Sequence, residues 1–277
     1  MNQLVAIEEL SICGSIATGG HALLERISLS VEQGDSLAIV GESGSGKTLI
    51  CRSILGRTPL GSTSTGSVYF RGRDVLSLSR QELRTHRSQE VALIVQDPST
   101  AVSPFQRIGT FITEQVRHSK SSARNDIRAE ATKLIRKLGF TDTEKILNSY
   151  PHMLSGGMLQ RIIIASALLV RPSLIIADEA TSALDPINQA ETIRLLLELA
   201  EEHNVALILV THDLDLAVAA CNRVAVVLGG KLIECQPTST MHSLTHPYTA
   251  ALAACRPRLD SVERPLPTVP KKFLQDN

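Results

Sequence analysis

Short runs of Val, Ile, Leu and Ala recur along the chain, each ending at a polar residue or a glycine. They are "SLAIVG" (Ser36–Gly41), "VALIVQD" (Val91–Asp97), "SLIIADE" (Ser173–Glu179), "ALILVTH" (Ala206–His212) and "RVAVVLGG" (Arg223–Gly230). Runs this short and this apolar suit strands buried on both faces. Helical patterns separate them. One is the amphipathic "NQAETIRLLLELAEEHN", which follows Asp185-Pro186 and stops near Asn204. The alternation predicts an α/β protein with a parallel sheet wrapped by helices.

Two regions have another texture. The first forty residues, with "GSVYFRGRDV" around Tyr69, alternate in the manner of an antiparallel layer. From about Ser99 to Arg161 the pattern is helical. "RNDIRAEATKLIRKLGF" reads as a helix ended by Gly139, and "TDTE" (Thr141–Glu144) as a capping box before a short helix. After Gln236 prolines punctuate the chain, predicting a short helix and then a loosely ordered tail. The expected organisation is one domain over 1–254, with a helical insert at about 99–161, and a Pro-rich tail over 255–277.

Composition narrows the function more by exclusion than by suggestion. Lys plus Arg and Asp plus Glu are 28 each, so the net charge is zero and nothing in the charge balance calls for nucleic acid. Aromatic residues make up 3% and Trp is absent, which suits base stacking poorly. The five cysteines are scattered without a Cys-x-x-Cys pair, the pattern of reduced cytosolic thiols. The apolar "IIIASALLV" after Arg161 is too short to span a bilayer. Any membrane role is therefore expected to run through a partner.

The chemistry lies where the apolar runs end. "GESGSGKT" (Gly41–Thr48) follows one strand and opens a helix, the context in which G-x-x-x-x-G-K-[ST] forms a phosphate loop. Gly41, Glu42, Ser43, Gly44, Ser45 and Gly46 offer backbone N–H groups to phosphate oxygens. The new helix adds its positive end. Lys47 is expected at the β- and γ-phosphates of ATP and Thr48 on Mg²⁺. "SLIIADEA" sets Asp178 and Glu179 at a strand's C-terminal end, the edge where parallel sheets bind ligands. Asp178 would hold Mg²⁺, and Glu179 would act as base for the attacking water. Gln96 and His212 close two further runs. A lone histidine there is more often structural, but placement at the same edge favours Gln96 on metal and water, and His212 on the γ-phosphate.

"GESGSGKT", "VQD", "LSGGM", "LIIADE", "SALD" and "VTHD", in that order, resemble the ATP-binding subunits of ABC transporters over about Leu4 to Pro270. The resemblance implies a P-loop NTPase, RecA-like core with an antiparallel layer and a helical subdomain. It implies ATP hydrolysis with Mg²⁺, two membrane permease subunits, an indirectly linked solute-binding protein, and a place on the cytoplasmic face of the membrane. It also implies that "LSGG" closes over the ATP of a second ATP-binding subunit, either a paralogue or an identical chain. Ser155, Gly156 and Gly157 suit that role, with a hydroxyl and bare N–H groups at a helix start beside a buried Leu154.

"YPHMLSGGM" and the tail "HPYTAALAACRP…RPLPTVP" resemble the oligopeptide, dipeptide and nickel import group. Leu159 and "EKILNSYP" lean toward nickel or metal–opine import, with peptide import as the alternative. A soluble ABC-type ATPase is a further alternative, although such proteins usually carry a coiled-coil insertion or fused cassettes. Two departures stand out. "SICGSIATGGHALLE" offers only His21 as a flat side chain where relatives stack adenine on an aromatic, and Ala180 replaces the usual Pro after the acids. His242 and His246 in "HSLTH" read as ordinary tail, and the arginines of "RGRDVLSLSRQELRTHR" as a solvated face around a helix capped by Ser79 with Glu82.

Overall fold

The computed structural model describes residues 3–15, 20–116, 124–181, 185–243 and 246–254. The expected tail over 255–277, Cys255 and most of "SALD" (182–184) lie outside the described residues. The chain divides into two compact units, Met1–Leu4 with Glu32–Asp35 and Ser77–Ile208, and Val5–Val31 with Ser36–Leu76 and Leu209–Asn277.

In the second unit the strands β1 (Gln3–Cys13), β2 (Ala22–Glu32), β4 (Thr63–Phe70) and β5 (Arg73–Asp74) form a sheet of order β2-β1-β4-β5. β1 pairs β4 antiparallel, with Val5 opposite Phe70 and a bulge between Glu8 and Ser11. The alternating N-terminal pattern is this layer. Gly66 faces the bulge with φ 83°, and a Cβ there would lie 2.4 Å from the Glu9 carbonyl oxygen, so only glycine fits.

The apolar runs build the other sheet of this unit. β3 (Ser36–Val40) lies parallel to β9 (Arg223–Leu228), which pairs antiparallel with β10 (Lys231–Pro237) across Gly229-Gly230. β3 has β8 (Ala206–Thr211), whose last residues belong to this unit, on its other side. Leu37, Ala38, Ile39 and Val40 are fully buried, as runs without polar positions require. The helices α1 (Lys47–Ile54), α9 (Leu214–Ala220) and α10 (Pro247–Ala254) complete the unit.

The first unit holds the start of β8 beside β7 (Leu174–Asp178), which pairs parallel with β6 (Val91–Ile94), Leu174 opposite Val91. Its helices are α2 (Arg80–Thr85), α3 (Pro98–Ala101), α4 (Ile108–Val116), α5 (Arg124–Lys137), α6 (Thr143–Asn148), α7 (Gly156–Leu169) and α8 (Pro186–Glu202). The centre of the packing is α7, whose Ile162, Ile163, Ile164 and Leu168 are all buried, with α3, α5 and α8 against it. The apolar run after Arg161 is therefore core, and among the described residues no helix is long and apolar enough to cross a membrane.

Local signals mostly land where the sequence puts them. Ser79 and Glu82 form the reciprocal capping box of α2. α5 ends before Gly139 at φ 88°, and α8 starts from Asp185, whose carboxylate accepts the Asn188 N–H. One cap differs. α6 is capped by Asp142 rather than Thr141, with the Asp142 carboxylate accepting the Lys145 N–H at 3.0 Å. An ionised carboxylate is the stronger acceptor at a helix start. Glu144, freed from a capping box, pairs with Arg128 instead.

Candidate functional site

The phosphate loop is set by its glycines. Gly44 and Gly46 lie at φ 82° and 106°, a region side chains with a Cβ rarely enter. Space constrains two positions further. A Cβ on Gly46 would lie 2.7 Å from Leu24 Cδ2, and one on Gly41 only 2.1 Å from the Val227 carbonyl oxygen. The loop therefore runs hard against β9 and cannot be built from larger residues. α1 begins directly behind it without a side-chain cap and without an acid in its first turn, so the positive helix end faces the loop uncompensated.

Lys47 is buried, at 5% exposure, and holds the loop from within. Its Nζ donates to the carbonyl oxygens of Gly41 at 2.9 Å and Glu42 at 2.6 Å. The Ser45 N–H donates to Glu42 O, and Gly230 N–H to Ser45 O. The Ser45 hydroxyl is buried without a partner, while a Cβ on Gly44 would meet nothing within 4 Å. The result is a floor of fixed donors with an open rim. A cation, a hydroxyl and a helix N-terminus in one concavity fit a polyphosphate. Thr48, half-buried at the start of α1, is the oxygen donor suited to its magnesium ion. His212 follows β8 in the same unit and is exposed. The next residue, Asp213, caps α9 by accepting the Asp215 and Leu216 N–H groups.

The first unit carries the remaining candidates. Asp178 is the last residue of β7, and Glu179 follows it at φ 49°. A glutamate in the left-handed region costs on the order of 1 kcal/mol, the kind of strain that gathers at functional positions. Both carboxylates are half-buried. Gln96 departs slightly from expectation. β6 ends at Ile94, so Gln96 lies exposed in a bend two residues past the strand. The cause is Asp97, which turns the chain into α3 by accepting the Ser99 hydroxyl at 2.7 Å and its N–H at 2.9 Å. Those two bonds hold the Asp97 carboxyl below its ordinary value.

Ser155 caps α7, its hydroxyl accepting the Met158 N–H at 3.3 Å. Ser155 and Gly156 are exposed and Gly157 partly so. Leu154, expected buried, is only half-buried, because a single-turn 3₁₀ helix at Pro151–Met153 leads the chain across the surface. Within units, then, the structure groups Gly41–Thr48 into one cradle and Asp178 with Glu179 at one strand end. His21 is exposed, and residues 16–19 before it lie outside the described residues. One residue escaped the sequence reading: Tyr248 of α10 is fully buried, and burial first, then the Glu42 charge, push its phenol up to about 12. The His-Pro pair before it, a helix-start signal, was the clue.

Known proteins match this arrangement. The family model described as ABC transporter matches residues 24–182. The oligopeptide transport ATP-binding protein OppD of Salmonella typhimurium is 35% identical over 97% of this chain and 81% of its own. The dipeptide transport ATP-binding protein DppD of Escherichia coli is 38% identical over 96% and 82%. A probable peptide ABC transporter ATP-binding protein, y4tR, of Sinorhizobium fredii is 39% identical over 88% and 74%. Among solved structures, cbiO1 of Clostridium perfringens, part of the complex cbiONQ, superposes with a TM-score of 0.75 at 24% identity, covering 88% of this chain and 92% of that one. The cassette MJ0796, solved as a dimer bound to ADP and Pi, gives 0.74 at 24%, covering 84% and 98%. These two likenesses establish the fold. The family model and the relatives matched along nearly the whole sequence place the chain in the ABC transporter family, as an ATP-binding subunit that hydrolyses ATP.

Proposed function

We propose that this chain energises the import of oligopeptides or dipeptides through two membrane permease subunits, seated peripherally on the cytoplasmic face of the membrane. The observation that carries the cargo reading is the match to peptide-transport ATP-binding proteins over 96–97% of the chain. It outweighs the lean toward nickel or metal–opine complexes, which rested on Leu159 and a few flanking residues. In this reading residues 99–161 form the helical subdomain, and a solute-binding protein selects the cargo.

Gly41 to Lys47 cradle the phosphates of ATP. Thr48, Gln96 and Asp178 hold Mg²⁺, which neutralises charge on the transferred phosphoryl group. Glu179 accepts a proton from the attacking water, and His212 hydrogen-bonds the γ-phosphate. Ser155, Gly156 and Gly157 serve the nucleotide of a second ATP-binding subunit, a paralogue or another copy of this chain. The exposure of that loop supports the assignment.

Uptake of labelled dipeptide, oligopeptide and nickel in a deletion strain tests the cargo. Loss of peptide uptake is expected, and loss of nickel uptake alone would overturn the reading. Gly157→Asp tests the shared site, since a carboxylate there repels an approaching γ-phosphate. The isolated chain should bind ATP normally, while turnover of the assembled transporter fails. Weakened binding in the isolated chain would place the loop at its own nucleotide.

A further inference from the structure

The helix α7, which begins behind Ser155, is held mostly by shape. Its Ile162, Ile163, Ile164 and Leu168 are buried, and apolar packing of that kind has no direction. One side chain is the exception. Arg161 Nη1 donates to the Leu138 carbonyl at 3.3 Å, and its Nη2 donates to Glu191 Oε2 at 2.9 Å. Among the described residues no other side chain of α7 hydrogen-bonds another element. Ser166 donates within the helix, to the Ile163 carbonyl, and Gln160 is buried without a partner.

Arginine suits that task. α5 ends at Lys137, so the Leu138 carbonyl lies where a helix leaves its last carbonyls without partners of their own. A guanidinium holds its donors in a planar fork, and here the fork spans a carbonyl and a carboxylate, which a lysine could not match. The Arg161 side chain is only 18% exposed, so solvent screens its charge less than at an open surface pair.

The bridge joins two places that matter to the reaction. Arg161 lies in the second turn of α7, just behind Ser155–Gly157, and Glu191 in the second turn of α8, just behind Asp185. Upstream of α8, a few residues away, are Asp178 and Glu179. The beginnings of the two helices therefore meet at one ion pair, within a single unit. In the function proposed above, the start of α7 serves the second subunit's ATP and Glu179 serves this chain's own. A displacement of one helix start reaches the other through a directional bond, where apolar packing alone would let the helices slip.

We infer that Arg161 is a positioning residue that couples the two half-sites of one chain, so that nucleotide on the second subunit's side is felt at Glu179. The inference rests on the shared-site reading above and adds the residue pair through which it acts.

Turnover of the assembled transporter is followed against ATP concentration in wild type, Glu191→Gln, Arg161→Met and the double variant. Methionine keeps the bulk of the stem and loses every donor, while glutamine keeps the shape of Glu191 and loses its charge. Wild-type turnover should rise sigmoidally with ATP. Each single variant should make the curve close to hyperbolic and lower kcat by roughly 5–50-fold, within the usual size of coupling between sites. The double variant should be no worse than Arg161→Met, because both changes cut the same bridge. ATP affinity of the isolated chain should stay as in wild type, since the phosphate loop belongs to the other unit. The thermal midpoint of Glu191→Gln should not move, as the carboxylate is largely exposed and such pairs contribute little to stability. A hyperbolic wild-type curve, additive losses in the double variant, or a lowered midpoint with wild-type kinetics would overturn the inference and leave the proposed function standing. A wild-type transporter without ATP turnover, or weakened ATP binding in isolated Gly157→Asp, would overturn the shared-site reading and the inference with it.

Discussion

Gly41–Thr48 and Ser155–Gly157 both lead small residues into a helix N-terminus, and in the function proposed above both offer N–H groups to an anion. They differ in who shapes them. In the first loop the glycines are demanded by the chain itself: two sit at left-handed φ, and added methyl groups at Gly41 and Gly46 would strike Val227 and Leu24. The lysine is buried and spent on loop carbonyls. In the second loop a Cβ on Gly156 would meet nothing within 4 Å, and the residue needs no left-handed backbone. Its only device is the Ser155 cap. A glycine that its own chain does not require is explained by something that must approach closely from outside, which is the use of a second subunit's nucleotide proposed above.

The largest effect belongs to Glu179, because it separates binding from chemistry and so lets each loop be watched with ATP in place. Glu179→Gln keeps the side-chain shape and removes the basic oxygen. Turnover should fall by roughly 10²–10⁴-fold, the usual size of a general-base contribution. ATP should still bind, and the paired form should accumulate on sizing columns. Normal turnover in the assembled transporter would remove Glu179 from the chemistry.

Next comes Lys47, which belongs to one side of the comparison alone. Lys47→Ala removes a cation that bonds Gly41 and Glu42 now and is proposed to meet phosphates later. ATP affinity of the isolated chain should drop about 10–100-fold, the worth of charge-assisted hydrogen bonds. Gly157→Asp should leave that same affinity alone. If the two variants behave alike in the isolated chain, the loops do not have separate clients.

Much of this was legible beforehand, and the physical reasons are uneven. Strands such as Leu37–Val40 and Leu174–Ala177 read clearly because burial on both faces removes every polar position. The Ser79–Glu82 box read clearly because its two bonds are local. Thr141 and Asp142 compete for one helix start, and only the path of the arriving chain decides between adjacent residues. Gln96 was set too close to its strand, since the pull of Asp97 toward α3 begins before the apolar run is over. Tyr248 was missed for another reason. α10 is apolar nearly all round, so its pattern marks no inward face.

The smallest effect is the most direct test of the comparison, because it asks the chain itself which glycines it needs. Gly41→Ala puts a methyl group 2.1 Å from a backbone oxygen that cannot swing away. It should lower stability by about 1–3 kcal/mol, as overpacking does. Gly156→Ala sits at the first position of α7, in open space and with ordinary helical backbone. It should change stability by less than about 1 kcal/mol, in the stabilising direction, because alanine narrows the unfolded ensemble. Denaturant midpoints of the two variants, measured on the full chain, check both. Turnover of the assembled transporter should nevertheless fall in Gly156→Ala, as a methyl group now stands where a phosphate must come close. A Gly156→Ala chain that unfolds as readily as Gly41→Ala would mean that the second loop, like the first, is shaped by its own fold, and the case for an outside client would lose its footing.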